Sequence, residues 1–399
     1  MTTHYDDLET RSADARAADQ LAQAQKLVAR IQAQVGDAWP AGPLTSLQDL
    51  TRFPVLRKSD LSQWQAARPP FGGVTMGEHT HVFQSPGPIY EPGNVAQPDW
   101  WRFARFLHAA GIGAGDVVQN CFSYHFTPAG MMFESGARAL GAKVFPAGTG
   151  QTELQVRAAK DIGATAYAGT PDYLKVILDK ADEMGVTLGI TKAVVGGGAL
   201  FPSLRQAYAD RGISCLQCYA TADLGNIAYE SPAMEGMILD EGVIVEIVTP
   251  GTGDPVAEGE VGEVVVTALN DDYPLVRFAT GDLSATLPGP SPCGRTNTRI
   301  KGWMGRADQT TKVKGMFVRP EQVAEFVARH AEIGKARVTV TRDGEQDAMT
   351  VAVEATSGDA EIYAKSLVDV LKLKATVQIV APDSLPKDGK VIDDQRSYD

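Results

Sequence analysis

Between residues 10 and 35, Leu21, Leu27, Val28 and Ile31 recur at helical spacing among Ala, Gln and Arg. This pattern predicts one or two amphipathic helices. The stretch 44–64 reads as a Pro-punctuated loop and a short helix started by Ser59 and Asp60. From 100 to about 240, helix and strand patterns alternate. Helices are expected at WWRFARFLHAAGI (100–112), AGMMFESGARALG (129–141), TELQVRAAKDIG (152–163), PDYLKVILDKADEMG (171–185) and SLRQAYADRG (203–212). Strands are expected at DVVQNCFSY (116–124), AKVFPAG (142–148), TAYAGT (165–170), KAVVGGGA (192–199) and ISCLQCYA (213–220). Glycine-rich or polar turns follow the strands, the signature of an α/β domain with a largely parallel sheet. Ligands of such sheets sit beyond the carboxyl ends of strands, so the turns at 196–199 and 220–223 are the first candidates.

The character changes after 235. VIVEIVTPGTG, EVGEVVVTAL and YPLVRFATGDL are short β-runs with Gly/Pro turns, expected as a β-rich subdomain. Residues 285–304 are turn-rich and polar. Then TKVKGMFVRP, helix EQVAEFVARHA, strands KARVTVTRD and AMTVAVEA, helix AEIYAKSLVDVLK and strand TVQIVA make an α+β unit of a size that can fold separately. The expected organisation is a large α/β N-terminal domain (1–304) with mostly parallel sheets, and a small α+β C-terminal domain (305–399).

Composition narrows the function. Of 399 residues, 44% are hydrophobic and 22% charged, as in a soluble globular chain. The net charge of −12 argues against nonspecific nucleic-acid or anionic-membrane binding. No run approaches the roughly 18 apolar residues of a membrane span, and the acidic N-terminus lacks the apolar core of a signal peptide, so a cytoplasmic location is expected. Cys121, Cys215, Cys218 and Cys293 are too sparse for a disulfide scaffold. The C-x-x-C at Cys215 and Cys218 lies in a strand pattern with no second ligand pair, so it reads as two core thiols.

Five segments of the second half, in order, carry more specific information. They are GGGALFPSLR (196–205), CYATADLGNIAYE (218–230), PLVRFATGDL (274–283), GRADQTTKVKGMFVRPEQV (305–323) and SLPKDGKVIDDQ (384–395). Together they resemble the shared motifs of adenylate-forming ligases, and the phenylacetate–CoA ligase branch fits best. The stretch from about 98 to 180 follows that branch almost element by element, so the resemblance covers about residues 50–399. Gly-Arg-x-Asp, Lys-x-x-Gly and Met-Phe-Val-x-Pro in the fourth segment are its most specific part.

The resemblance implies an ATP-dependent acid–CoA ligase with a mobile C-terminal domain. Gly198, Ala199, Tyr219 and Ala220 would line the adenine site, and Thr221 would lie near the phosphate. Asp223 stands for the metal-ligating Glu and would hold Mg²⁺. Asp282 would accept the ribose hydroxyls, and Arg306 would hydrogen-bond the nucleotide. Asp308 falls at the hinge, and Lys314 and Gly315 would face the site when CoA reacts. Lys390 matches the catalytic lysine that bridges carboxylate and α-phosphate oxygens, with Lys387 as runner-up. Tyr124, His125 and Phe126 fall where that branch places its aromatic-acid pocket. The implied partners are a small aromatic acid, ATP/AMP, Mg²⁺ and CoA, and relatives of this kind are often homodimers.

Three departures stand out. Leu200 replaces a Glu in the first motif, and Ala220 and Ala222 replace Gly and a hydroxyl residue in the second. Where a Ser/Thr/Gly-rich loop with a lysine should cradle the ATP phosphates, residues 83–92 read FQSPGPIYEP. Ser85 and Gly87 are kept, Pro86 and Pro88 remove two N–H donors, and Glu91 adds a negative charge. The sequence therefore leaves open an acid–CoA ligase, an adenylating enzyme that does not use CoA, and a non-catalytic binder of nucleotide or aromatic acid.

Overall fold

The structure, a computed structural model, describes residues 3–35, 40, 42–75, 77–86, 88–198, 200–305, 307–309, 311–314, 316–343, 346–386 and 390–396. The N-terminal pattern folds as one helix, α1 (Ala13–Val35). Its Ala24, Leu27, Val28 and Ile31 are buried against Leu44, Leu50 and Phe53. Ahead of it, Glu9 is buried beneath Arg295 Nε at 2.6 Å and the Tyr229 hydroxyl at 2.6 Å. Helix α2 (Lys58–Ala67) starts one residue before Ser59, because Asp60 Oδ2 accepts the Arg57 N–H at 2.9 Å. The segment expected to be a phosphate loop is a hairpin of β1 (His81–Ser85) and β2 (Ile89–Gly93).

The expected helix at 100–112 is reduced to α3 (Ala104–Ala109). Asp99 Oδ1 accepts the N–H groups of Phe103 at 2.7 Å and Ala104 at 3.0 Å, and Arg102 sits at φ 66. A capping carboxylate and a left-handed residue together stop the helix from reaching Trp100.

The alternating pattern then appears as read, with strands trimmed at their ends. The elements are β3 (Val117–Asn120), α4 (Ala129–Ala139), β4 (Lys143–Pro146), α5 (Thr152–Asp161), β5 (Ala166–Gly169), α6 (Pro171–Glu183), β6 (Lys192–Val195), α7 (Pro202–Asp210) and β7 (Ser214–Thr221). Strands β4, β3, β5, β6 and β7 are parallel neighbours in that order. After β7 the chain reverses into β8 (Gly225–Glu230) and β9 (Met237–Leu239), both antiparallel. Strands β10 (Val243–Val248), β11 (Gly262–Ala268) and β12 (Phe278–Ser284) form a separate sheet, while β13 (Thr286–Leu287) and β14 (Arg299–Ile300) extend the large one beside β9. The large sheet is thus mixed, parallel in its α/β half and antiparallel beyond β7. Its core joins Phe103, Phe106, Phe122, Phe133, Val194 and Ile227.

The chain divides into two compact units: residues up to Thr280 with Ser284–Gly302, and Gly281–Leu283 with residues from Trp303 on. The second unit contains the hairpin β15 (Thr311–Val313) and β16 (Met316–Val318), then α8 (Pro320–Ala328), β17 (Ile333–Asp343), β18 (Gln346–Ala355), α9 (Ala360–Leu371), β19 (Thr376–Val380) and β20 (Ile392–Asp394). The sheet order is β19-β18-β17-β20. Strand β20 was not legible in the sequence; Ile392 earns its place by pairing with Val338 and burying its side chain. Among the described residues no helix is long and apolar enough to cross a membrane.

Candidate active site

Because β3, β6 and β7 run parallel, their carboxyl ends share one edge of the sheet. Tyr124, His125 and Phe126 follow β3, Gly198 follows β6, and Tyr219, Ala220 and Thr221 end β7. Tyr219 is buried, Ala220 and Thr221 are half-buried, and Gly198 is exposed. Ala199, Arg306, Gly315 and Lys387 lie outside the described residues, as does Gly87 of the hairpin.

The turn beyond β7 folds back on itself. Thr221 pairs with Gly225, and Thr221 Oγ1 accepts the Leu224 N–H at 3.1 Å. Gly225 has φ 73, and a Cβ there would lie 2.7 Å from the Trp101 carbonyl oxygen, so only glycine fits. This turn buries the Asp223 carboxylate, whose side chain is 1% exposed. Lys58, at the first position of α2, reaches Asp223 Oδ2 at 3.0 Å. Among the described residues, the buried Asp223 Oδ1 meets no hydrogen-bond partner. A hard carboxylate oxygen left unpaired fits a divalent cation such as Mg²⁺.

The β1–β2 hairpin brings a second carboxylate to Asp223. Glu91 stands opposite Phe83 and diagonal to Ser85, so Ser85 and Glu91 share one face. The Ser85 hydroxyl donates to Glu91 Oε1. Glu91 is fully buried, and burial and the nearby Asp223 push its carboxyl up to about 7 against the pull of Ser85 and Lys58. In this hairpin Ser85 is committed to a carboxylate.

Of the expected pocket residues, Tyr124 borders a cavity of about 530 Å³ that His81, Gln97, Glu134 and Arg138 also line. Asn120 Nδ2 donates to its hydroxyl at 2.7 Å, and burial, then Glu134, raises that hydroxyl above its ordinary value. His125 and Phe126 point outward; Phe126 is 70% exposed and holds a left-handed φ of 61. Cys215 and Cys218 are buried in β7, and burial pushes both thiols up, Cys215 to about 12. Protonated thiols of this kind are core groups.

The remaining candidates belong to the second unit. Asp282 is nearly buried, and its Oδ1 accepts the Trp303 indole N–H at 3.0 Å. Asp308 lies in the 3-10 turn Ala307–Gln309. Lys314 turns the β15–β16 hairpin at φ 50, and its N–H donates to Asp347 Oδ2 at 2.9 Å. Lys390 Nζ meets Asp393 Oδ1 at 3.1 Å, and Asp393 also pairs with Arg337 at 3.0 Å. Gln309 Oε1 accepts the Ile392 N–H at 3.2 Å, which ties the 3-10 turn to the lysine segment. Lys58, Tyr273 and Trp303 were not singled out from sequence. Lys58 and Asp223 are 165 positions apart, so no local signal joins them.

The large mixed sheet with a separate smaller sheet unit is the fold of the adenylate-forming acid–CoA ligases. It matches 2-hydroxyisobutyryl-CoA ligase in the postadenylation state with 2-HIB-AMP at a TM-score of 0.76 and 25% identity, over 97% of this chain and 91% of that one. The anthranilate–CoA ligase AuaEII shares the fold at a TM-score of 0.54 and 17% identity, over 81% of this chain and 69% of that one. No family model matches the chain. It is 30% identical over 329 residues to the phenylacetate–coenzyme A ligase of Aromatoleum evansii, covering 78% of this chain and 73% of that protein. It is also 30% identical over 326 residues to the phenylacetate–coenzyme A ligase of Thermus thermophilus, covering 77% and 72%. The chain belongs to the phenylacetate–CoA ligase family of AMP-forming acid–CoA ligases.

Proposed function

We propose that the chain converts an aromatic, arylacetate-like acid into its CoA thioester, with ATP and CoA as co-substrates. The 30% identity to phenylacetate–CoA ligases across 78% of the chain carries the reading. In the first step an acid oxygen attacks the α-phosphorus of ATP. The α–β bridging bond breaks, and acyl-adenylate and pyrophosphate form. In the second step the CoA thiolate attacks the acyl carbonyl and AMP leaves.

In this reading residues 1–304 bind adenylate and acid, and residues 305–399 form a lid that turns about Asp308. Lys390 places its ammonium between the carboxylate and α-phosphate oxygens, where negative charge grows in the transition state. Asp282 holds the ribose, Arg306 the nucleotide, and Tyr219, Ala220, Gly198 and Ala199 the adenine; Thr221 faces the phosphate. Lys314 and Gly315 serve the CoA step. Tyr124, His125 and Phe126 contribute to acid selection. Asp223 would hold Mg²⁺, which when bound neutralises phosphate charge. The acidic net charge supports a partner list without nucleic acid or anionic membrane; a cytoplasmic homodimer completes the reading.

The test is AMP and pyrophosphate release from purified chain, ATP and Mg²⁺ with a panel of aromatic and aliphatic acids, each with and without CoA. AMP formed with an aromatic acid and CoA is the expected result. Pyrophosphate release indifferent to CoA would replace the ligase reading with a CoA-independent adenylating enzyme. No release with any acid, alongside measurable AMP binding, would overturn turnover altogether.

A further inference from the structure

Ahead of α3, two residues other than glycine hold a left-handed backbone: Asp99 at φ 50 and Arg102 at φ 66. Such residues are strained there, and the strain persists only where surrounding contacts over-determine it. The contacts of this segment fall on the turn after β7. The Trp101 carbonyl accepts the Asn226 N–H at 3.0 Å. Arg102 Nη2 donates to the Leu224 carbonyl and, at 3.2 Å, to the Asn226 carbonyl. Arg102 Nε faces Asp240 Oδ1 at 3.2 Å, with the arginine side chain 14% exposed and the carboxylate fully buried. Asp240 Oδ1 also accepts the Gly242 N–H at 2.9 Å, which fixes the carboxylate. One guanidinium thus joins a buried anion to two carbonyls of a turn more than a hundred positions away.

The clamp sits where the ladder is irregular. Tyr219 pairs with Ala228 but Ala220 with Asn226, so the register shifts at Ile227. A shift of this kind re-aims the side chains beyond it. Beyond it stand Ala220 and Thr221, and Thr221 closes against Gly225 and the Leu224 N–H. The planar fork of an arginine can meet a carboxylate and two carbonyls at once, which a lysine ammonium on its flexible stem does less well. We infer that Arg102 is a positioning residue for the nucleotide: its guanidinium fixes the turn after β7 and so sets where Ala220 and Thr221 stand. The inference rests on the ligase reading, in which those two residues meet adenine and phosphate. Arg105, on α3, supplies the internal comparison. It also reaches Asp240, with Nη1 at 3.6 Å from Oδ2, but its other partner is Asp6 of the N-terminal segment.

The experiment compares R102G and R105M with the wild type in the full chain. R102G removes the fork and relieves the left-handed backbone, while R105M removes a guanidinium that serves Asp6 and Asp240. Amide hydrogen exchange of the ligand-free chain is followed in peptides covering 219–228, and AMP binding is measured by calorimetry. R102G should speed exchange over 221–226 by about tenfold or more and weaken AMP by about tenfold, the scale of losing hydrogen bonds from a charged donor. R105M should leave both near their wild-type values, although both variants lose stability. If R102G does not fold by circular dichroism, R102K, which keeps the charge against Asp240 and loses the fork, carries the comparison. Unchanged exchange over the turn, faster exchange with unchanged AMP binding, or equal effects from R105M overturns the inference and leaves the ligase reading standing. A wild type that binds no AMP overturns both.

Discussion

Trp303 Nε1 donates to Asp282 Oδ1 at 3.0 Å, with the indole 54% exposed and the carboxylate nearly buried. An N–H donor on one carboxylate oxygen fixes the side-chain rotamer and with it the direction of the second oxygen, which in the proposed function accepts from the ribose. Hydrogen bonds to charged groups contribute about 1.5–3 kcal/mol, and the exposed indole belongs at the low end. W303F should therefore raise the KM for ATP by about tenfold and leave kcat within about twofold, the pattern of a binding residue. An unchanged KM would remove Trp303 from the nucleotide site.

Lys390 rests against Asp393, which Arg337 also holds. The lysine is half-exposed, so this contact keeps it near one place without trapping it. K390A should cost about 10²- to 10³-fold in acid-dependent pyrophosphate release, the scale of losing one donor to developing charge. Thioester formation from synthetic acyl-adenylate and CoA should persist within about threefold, since that step does not pass through the same phosphate charge. Equal losses in both half-reactions would show that Lys390 acts on the fold or on acyl transfer, and would return Lys387 to consideration.

How much of this was legible in the sequence depends on the range of each interaction. The strands Val117–Asn120 through Ser214–Thr221 and their helices follow from local periodicity and turn chemistry. The loss of helix at Trp100 depends on Asp99 capping Phe103 and Ala104, and a carboxylate four positions earlier is a weak signal beside an apolar run. The pairings that local pattern does not reveal are long-range: Glu9 with Arg295 and Lys58 with Asp223 in the first unit, and Ile392 with Val338 in the second. Glu91 was legible as a charge opposed to phosphate, but its burial against Ser85 and Asp223 required the hairpin. The turn at Thr221–Gly225 was readable as a motif, yet the reason for its glycine is the Trp101 carbonyl, more than a hundred positions away.

Asp99 ties that short helix to pH. Burial lifts its carboxyl from 3.8 to about 7, against the Ala104 and Phe103 N–H groups that favour the ionised form; Asp240 adds to the rise. A folded-state pKa above the unfolded value means that the folded chain binds the proton more tightly. This contribution to stability is full below about pH 4 and is lost as pH rises toward 7. Asparagine keeps a capping oxygen without the charge. Urea midpoints at pH 5 and pH 7.5 should fall less between the two for D99N than for the wild type. Parallel declines would show that Asp99 is not the group that titrates.

Arg277 lies in the same motif as Asp282, yet its contacts are structural. Its side chain is 3% exposed. Nη1 donates to the Phe53 carbonyl at 2.8 Å, Nη2 to the Gly253 carbonyl at 2.7 Å, and Nε to Glu246 at 3.0 Å. It therefore clamps the segment after α1 to the turn after β10. Removing one partner of a buried pair typically costs about 3–5 kcal/mol, because the other charge stays buried and unpaired. R277A should lower the unfolding free energy obtained from urea titration by that amount, and the double variant R277M/E246M should recover part of the loss. At temperatures where R277A is still folded, its KM for ATP should match the wild type within about twofold. A large KM change without loss of stability would move Arg277 from the scaffold into the nucleotide site.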